Sequence, residues 1–334
     1  MQSTTKYINI PSREDVAEIM SRPISPRQSY TFLNPIGHGT FGKVFSALNK
    51  SGRRVAIKCV PQNPDFKNRE LNILKDLHSP FTLQLLDFFV TKPNDSELSI
   101  LNIVTDIFPQ SLSSYLEEIH QFSYSFDPLL RKLWIYQLFC GIDYIHSIGI
   151  THRDLKPGNL LVNSYTGQLK LCDFGSAKVL TERNQKCIGS RYYRAPELLL
   201  GCSSYTNKID IWSAGCIIAE MFLDDMAMFQ GNDDLDQLDQ IIHILGKPTD
   251  DDLSSFDHEV QCLSNENQIC NLETALPYKI DHDVLSLLKE IFVYNPSKRP
   301  TARECMKSPY FNELFEPNVK LSNGNDLPSI PKPY

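Results

Sequence analysis

Residues 152–159 read His152-Arg153-Asp154-Leu155-Lys156-Pro157-Gly158-Asn159, and Asp173-Phe174-Gly175 follows a short way downstream. Between these strings, Leu160-Leu161-Val162-Asn163 and Gln168-Leu169-Lys170-Leu171 flank the turn Tyr165-Thr166-Gly167. That pattern predicts a hairpin, which returns the chain on itself so that both aspartates reach one site. Asn159 and Asp173 offer hard oxygen ligands of the kind Mg2+ prefers alongside phosphate oxygens. Asp154 is left to accept the proton of an attacking hydroxyl, and Lys156 to neutralise charge on a transferred group. Each residue alone has a plainer reading: Asp154 as a turn cap, Asn159 as an Asx-turn, Asp173 as the partner of an arginine. Their occurrence together, followed by Ala195-Pro196-Glu197, sets those readings aside.

Upstream lies Gly37-His38-Gly39-Thr40-Phe41-Gly42-Lys43-Val44. A G-x-G-x-x-G string alone is shared by dinucleotide-binding turns and by loops that cover nucleotides. A dinucleotide fold needs a helix after the glycines. Here Val44-Phe45-Ser46-Ala47 reads as a strand, Asn49-Lys50-Ser51-Gly52 as a turn, and Arg54 to Val60 as a second strand, so the glycines sit in a hairpin. In Val55-Ala56-Ile57-Lys58 the period of two puts Ala56 and Lys58 on one face. A small residue beside a lysine suits a flat base over Ala56 and an ammonium on phosphate oxygens. Glu70, on the expected helix Lys67 to Leu77, is the partner that would hold Lys58 in place.

The whole chain has 334 residues, with 33 Lys plus Arg against 40 Asp plus Glu, a net charge of −7. That sign argues against nucleic acid and anionic membranes as bulk partners. No apolar run of about 18 residues occurs and the N-terminus lacks a signal-peptide core, so a soluble, intracellular protein is expected, cytoplasmic and also nuclear. The nine cysteines are dispersed without a C-x-x-C pair, which fits free thiols better than a zinc site or a disulfide framework.

Residues 1–29 are polar and turn-rich, and a flexible extension is expected there. Short apolar runs from Tyr30, at 82–90 and at 98–107, predict strands. From Leu112 the period lengthens: Leu130, Leu133, Trp134, Gln137, Leu138, Ile142 and Ile145 mark one face of a long helix. Ile209 to Leu223 is apolar nearly all round, predicting an interior helix, and Val284 to Phe292 predicts another. The Pro- and Asn-rich segment after Phe315 is expected to pack as an irregular strap.

The ordered motifs resemble those of the eukaryotic protein kinases over residues 30–313. The resemblance implies an α+β bilobal fold: a small antiparallel β-sheet N-lobe with one main helix (30–105), a hinge (106–109), a larger, mainly helical C-lobe (110–313), and a tail (314–334) packing on the C-lobe. It implies ATP between the lobes with Mg2+, lined by Ile36, Gly37, His38, Gly39, Thr40, Phe41, Gly42, Lys43, Val44, Ala56, Lys58, Thr105, Asp106, Phe108, Leu161, Cys172 and Asp173. Asp106-Ile107-Phe108-Pro109 would offer backbone groups to adenine, with Thr105 as gatekeeper behind it. Lys58, Glu70, Asp154 and Lys156 are the implied catalytic residues, Asn159 and Asp173 the metal ligands. Asp210 and Arg299 look like structural anchors, Arg299 pairing with Glu197.

Within the CMGC group, finer strings are similar to the glycogen synthase kinase-3 (shaggy) family: Phe66-Lys67-Asn68-Arg69-Glu70-Leu71, Leu171-Cys172-Asp173-Phe174-Gly175-Ser176-Ala177-Lys178, Ser190-Arg191-Tyr192-Tyr193-Arg194 and Pro317-Asn318-Val319-Lys320-Leu321. The activation segment has no T-x-Y, and the small-lobe helix has no P-S-T-A-I-R-E. The family resemblance implies serine/threonine protein substrates already phosphorylated four residues C-terminal to the target, read by Arg69, Arg153 and Lys178. A phosphate dianion favours such convergent donors, and a local basic pocket outweighs a distant field within a Debye length of about 8 Å. A phosphate on the protein's own loop is an alternative ligand for Arg153 that the sequence leaves open. A proline-directed kinase without priming is the nearest alternative function. A pseudokinase scaffold would require loss of Lys58, Asp154 or Asp173, and all are present.

Departures from the family pattern accompany these matches. Cys187 stands where the family usually has an activation-loop tyrosine, so activity without tyrosine phosphorylation there is expected. Asp65 stands where relatives are basic, and Gly158 replaces a glutamine before Asn159. The stretch 250–278, which in relatives helps bind scaffold proteins, matches poorly. Ser25 lies in only a faint echo of an inhibitory serine context.

Overall fold

The computed structural model describes residues 30–39, 42–62, 68–92, 99–179, 182–185, 188–223, 226–256, 270–277 and 280–333. The expectations for the extension 1–29 with Ser25, for Thr40, Phe41, Asp65 and Cys187, and for the centre of 250–278 fall outside the described residues. The chain divides into two compact units, one from Met1–His78 with Leu83–Ile107 and one from Ser79–Thr82 with Phe108–Tyr334.

The first unit is a five-stranded antiparallel sheet: β1 (Thr31–Gly39), β2 (Gly42–Leu48), β3 (Arg54–Gln62), β4 (Leu85–Thr91) and β5 (Ser99–Thr105), in the order β1-β2-β3-β5-β4. Alternation on β3 sorts the faces as the sequence predicted. Val55, Ile57 and Cys59 enter a core with Phe45, Ala47, Phe89, Ile100 and Val104, against which Tyr30 and Phe32 pack. The β2–β3 turn closes because the Asn49 side chain accepts hydrogen bonds from the backbone of Ser51 (3.0 Å) and Arg53 (2.9 Å). At Gly42 any Cβ would come within 2.2 Å of the Cys59 carbonyl oxygen, so the hairpin of β1 and β2 can lie against β3 only with glycine there. Helix α1 (Arg69–Asp76) starts where the Asn68 side chain accepts the Leu71 N–H at 2.8 Å.

The second unit is built on α2 (Leu112–Phe122), α3 (Pro128–Ser147), α4 (Lys208–Glu220), α5 (Asp234–Leu245) and α6 (His282–Ile291). Two small sheets accompany them. One has three strands, β6 (Gln110–Ser111), β8 (Leu160–Asn163) and β9 (Gln168–Leu171); the other pairs β7 (Ile150–Thr151) with β10 (Lys178–Val179). The single apolar face expected for α3 is too narrow: Ile135, Tyr136, Phe139 and Cys140 are buried as well. Phe311 and Phe315 meet the Tyr136 ring edge-on, and the Tyr136 hydroxyl donates to the Pro331 carbonyl at 2.7 Å. Segments far downstream thus cover the face that periodicity left open. Helix α4 is buried from Ile209 through Glu220, as a stretch apolar nearly all round predicted. The tail after Phe315 follows an irregular path, with the side-chain amides of Asn323 (2.8 Å) and Asn325 (2.9 Å) donating to the Tyr165 carbonyl.

Arg299 and Glu197 form a bidentate pair at 2.6 and 2.7 Å, with side chains 0% and 2% exposed. Removing one partner strands a charge in the interior. Glu197→Ala should therefore lower stability by about 3–5 kcal/mol, read as a shift of the urea unfolding midpoint. A shift within experimental error would show that the pair is not a structural anchor.

Candidate active site

In the first unit, antiparallel pairing of β3 with β5 sets Ala56 opposite Thr105, both buried. Lys58, on the Ala56 face of β3, extends to α1, where its ammonium donates to both Glu70 oxygens at 2.8 Å. Both side chains are largely buried, so the pair is fixed rather than a fluctuating surface contact. On the glycine hairpin Gly37 pairs with Val44, His38 with Lys43 and Gly39 with Gly42. Ile36 is half exposed. Asp106 is held by Arg53 at 2.6 Å, a contact that motif reading did not foresee.

In the second unit the catalytic-loop residues come together. The Asp154 carboxylate accepts from Asn159 Nδ2 (3.3 Å) and lies 3.2 Å from the Lys156 ammonium. Asn159 Nδ2 also donates to the Asp154 carbonyl at 2.7 Å. With its nitrogen engaged, Oδ1 is the atom that Asn159 has for a metal ion. The Cys172 peptide lies between two contacts: its N–H donates to the Asn159 carbonyl (3.0 Å), and its carbonyl oxygen is 3.0 Å from His152 Nε2. Asp173 follows in the left-handed region, φ 60°, which for a non-glycine residue marks a position the surroundings impose. Leu161, on β8, is half-buried, and Phe108 lies beneath the Lys170 ammonium at 5.7 Å.

Among the described residues no cluster of three or more His, Cys, Asp or Glu is placed to hold a metal. One amide oxygen and one carboxylate fit Mg2+, which keeps waters and takes phosphate oxygens, and do not make a cage for Ca2+ or a zinc site.

Ser190 is a partner that motif reading missed. Its N–H and its hydroxyl each donate to Asp154 Oδ1 at 2.8 Å, and its oxygen accepts from Lys156 Nζ at 2.9 Å. Gly189 places it there: φ is +76°, and a Cβ would come within 2.8 Å of the Arg153 carbonyl. Ser190 opens the string Ser190-Arg191-Tyr192-Tyr193-Arg194, which pointed to the family but gave no sign of a contact with Asp154 or Lys156.

The cations expected to bind phosphate lie in both units. Arg69 opens α1, half-buried. Arg153 and Lys178 belong to the second unit, where β10 pairs Lys178 with Thr151. Arg153, 4% exposed, donates from Nε to the Ser176 carbonyl (2.7 Å) and from an η nitrogen to the Tyr205 hydroxyl (3.1 Å). Lys178 donates to Asn184 Oδ1, and its ammonium lies 6.0 Å from the centre of the Tyr205 ring. No carboxylate pairs with either cation among the described residues.

Beneath the loop, Asp210 accepts the His152 N–H (2.8 Å) and the Arg153 N–H (2.9 Å), and His146 Nε2 lies at 2.8 Å. Burial alone would push its carboxyl up. The hydrogen bond and charge of His146, then His152 and the Arg153 amide, override that and hold it below the usual carboxylate range.

A family model described as protein kinase domain matches residues 30–311. Protein kinase gsk3 of Schizosaccharomyces pombe is 39% identical over 308 residues, which span 91% of this chain and 79% of that protein.

A carboxyl whose pKa is depressed by folding contributes stability that is full above its unfolded value, about 3.9, and is lost as the pH falls through the folded one. Asp210→Asn should therefore be less stable than wild type near pH 7 by about 3–5 kcal/mol, with the gap narrowing only as the pH falls below about 3.9. Urea midpoints of both proteins across that range read it directly; a gap independent of pH would contradict the assignment.

Proposed function

Because the chain belongs to the glycogen synthase kinase-3 family of protein kinases, and is a serine/threonine kinase acting on protein substrates, we propose a division of labour among its residues and a preference among substrates. Kinases of this family use ATP with Mg2+. Lys58, oriented by Glu70, holds the phosphates of the donor nucleotide, with Ala56 and Thr105 beside the base. Asn159 and Asp173 hold Mg2+, which when bound neutralises phosphate charge. Asp154 takes up the hydroxyl of the substrate serine or threonine and its proton. Lys156, already beside Asp154, stabilises charge gathering on the transferred group.

Ser190 fits the same scheme as a clamp. Bonded to both Asp154 and Lys156, it fixes the carboxylate that must receive the proton and the ammonium that must not swing away. That is positioning of the sort from which phosphoryl transfer draws most of its acceleration.

The substrate preference is for proteins already carrying a phosphoserine four residues C-terminal to the target, bound by Arg69, Arg153 and Lys178. One observation carries this reading. Among the described residues, Arg153 and Lys178 are gathered by neutral acceptors, the Ser176 carbonyl, the Tyr205 hydroxyl and Asn184 Oδ1. Two cations kept near one another without a carboxylate retain their full charge for an incoming dianion. The alternative ligand, a phosphate on the protein's own loop, is less favoured, because Asn184 and Gln185 of that loop already reach the cluster through uncharged groups.

Asp154→Asn should lower kcat by about 10²–10⁴-fold, the range for removal of a positioned proton acceptor, with the KM for ATP little changed; activity near wild type would remove Asp154 from the mechanism. A serine peptide bearing phosphoserine at the fourth position after the target should have a kcat/KM at least about tenfold above its unphosphorylated twin, as expected for charge-assisted hydrogen bonds to the added phosphate. Lys178→Met should narrow that ratio. Equal values for the two peptides would end the priming reading and leave the kinase assignment intact.

A further inference from the structure

We infer that Tyr205 is a positioning residue for phosphate recognition, the neutral post that sets Arg153 and Lys178 at the spacing a phosphate needs; this rests on the priming reading above. Several other cations of the second unit are held by carboxylates: Arg299 by Glu197, Arg303 by Asp143, Lys298 by Asp251 and Lys289 by Glu273. Around Arg153 and Lys178 the same task falls to a phenol. Tyr205 is 7% exposed, and four groups from two distant segments converge on it. Its hydroxyl oxygen accepts from Arg153 (3.1 Å) and from the Gln185 backbone N–H (3.1 Å). Its ring faces the Lys178 ammonium, and its carbonyl accepts from Asn184 Nδ2 at 3.0 Å. Asn184 in turn accepts from Lys178.

The chemistry of the side chain explains the arrangement. Two like charges brought together repel, and a carboxylate placed between them would relieve the repulsion but cancel the field that attracts a phosphate. A phenol gives one cation a hydrogen-bond acceptor and the other a π face, and adds no charge. It thus fixes direction and spacing while leaving the site doubly positive.

Tyr205 acts on binding rather than on the chemical step. The backbone of Arg153, adjacent to Asp154, is tied independently by Asp210. A guanidinium released from Tyr205 therefore moves without carrying Asp154 along. The consequence is a change in KM for phosphorylated substrates with kcat preserved.

The test compares wild type, Tyr205→Phe and Tyr205→Leu on the peptide with phosphoserine at the fourth position after the target and on its unphosphorylated twin. Tyr205→Phe keeps the ring and deletes only the oxygen. It should raise the KM for the phosphorylated peptide about tenfold, the scale of one hydrogen bond to a charged group, with kcat within about twofold and the preference for that peptide correspondingly smaller. Tyr205→Leu, which also removes the face beneath Lys178, should erode the preference further. A wild type that discriminates and a Tyr205→Phe variant that discriminates equally well would overturn the role of Tyr205 alone. Equal loss of kcat on both peptides would reduce Tyr205 to a purely structural part and overturn it too. A wild type that treats the two peptides alike would refute the priming reading, and this inference with it.

Discussion

The catalytic loop depends on one buried carboxylate. Asp210 sits on α4, in the interior of the second unit, fully buried. An ionised carboxylate is tolerated there only because its oxygens are saturated by hydrogen bonds. The donors that saturate it are the very peptides that must be aimed: the N–H groups of His152 and Arg153, with Arg153 held at φ 68°. A left-handed residue outside glycine costs about 1–3 kcal/mol, and the bond to Asp210 offsets that cost. With the loop so turned, Asp154 faces Lys156, Asn159 and Ser190 rather than the core. The β8–β9 hairpin is fixed in the same economical manner. Gln137 of α3 donates to the Gly167 carbonyl (2.7 Å) and accepts the Leu169 N–H (3.0 Å), so the helix reads the hairpin through its backbone and delivers Asp173 beside the loop.

Two kinds of cation follow from this construction. Arg299 is buried against Glu197 and serves stability, its charge cancelled where it sits. Lys58 meets Glu70, which fixes the direction of its ammonium. Arg153 and Lys178 are the other kind, buried or half-buried and ringed by neutral acceptors. The net charge of −7 says nothing about such places. A carboxylate spread over the surface acts through solvent and salt, while a buried guanidinium without a counter-ion acts at contact distance.

Most of the fold could be read from the sequence, and for a common reason. The strands of the first unit, α4 and the β8–β9 hairpin are each specified by residues close in sequence, through period, turn chemistry and motif spacing. The extra buried face of α3 was not legible, because Phe311, Phe315 and Pro331 cover it from the far end of the chain. The motif residues Asp154, Lys156 and Asn159 were legible as a set. Ser190, Asn184 and Tyr205 were not, since each enters the site through single polar contacts between segments that share no spacing. Ser190 lies 36 residues from Asp154, and Tyr205 lies 52 from Arg153. A hydrogen bond between such positions leaves no periodicity behind; it becomes visible only when the backbone brings the partners within reach.

Those same three residues bear on the activation segment, the stretch between Asp173-Phe174-Gly175 and Ala195-Pro196-Glu197. Two groups of contacts hold its described residues. Toward the C-terminal end Ser190 is clamped to Asp154 and Lys156, and Gly189 makes the turn that allows it. Nearer the N-terminal end Asn184 donates to the Ser203 (2.6 Å) and Tyr205 (3.0 Å) carbonyls, and the Gln185 N–H reaches the Tyr205 hydroxyl. None of these bonds involves a phosphate or a group that needs one. Phosphorylation orders such segments by supplying acceptor oxygens to cations that would otherwise lack a partner. Here amide, hydroxyl and carbonyl groups hold Asn184, Gln185 and Ser190 themselves, so the three described residues that flank the centre of this segment are placed by uncharged partners or by the Asp154–Lys156 pair.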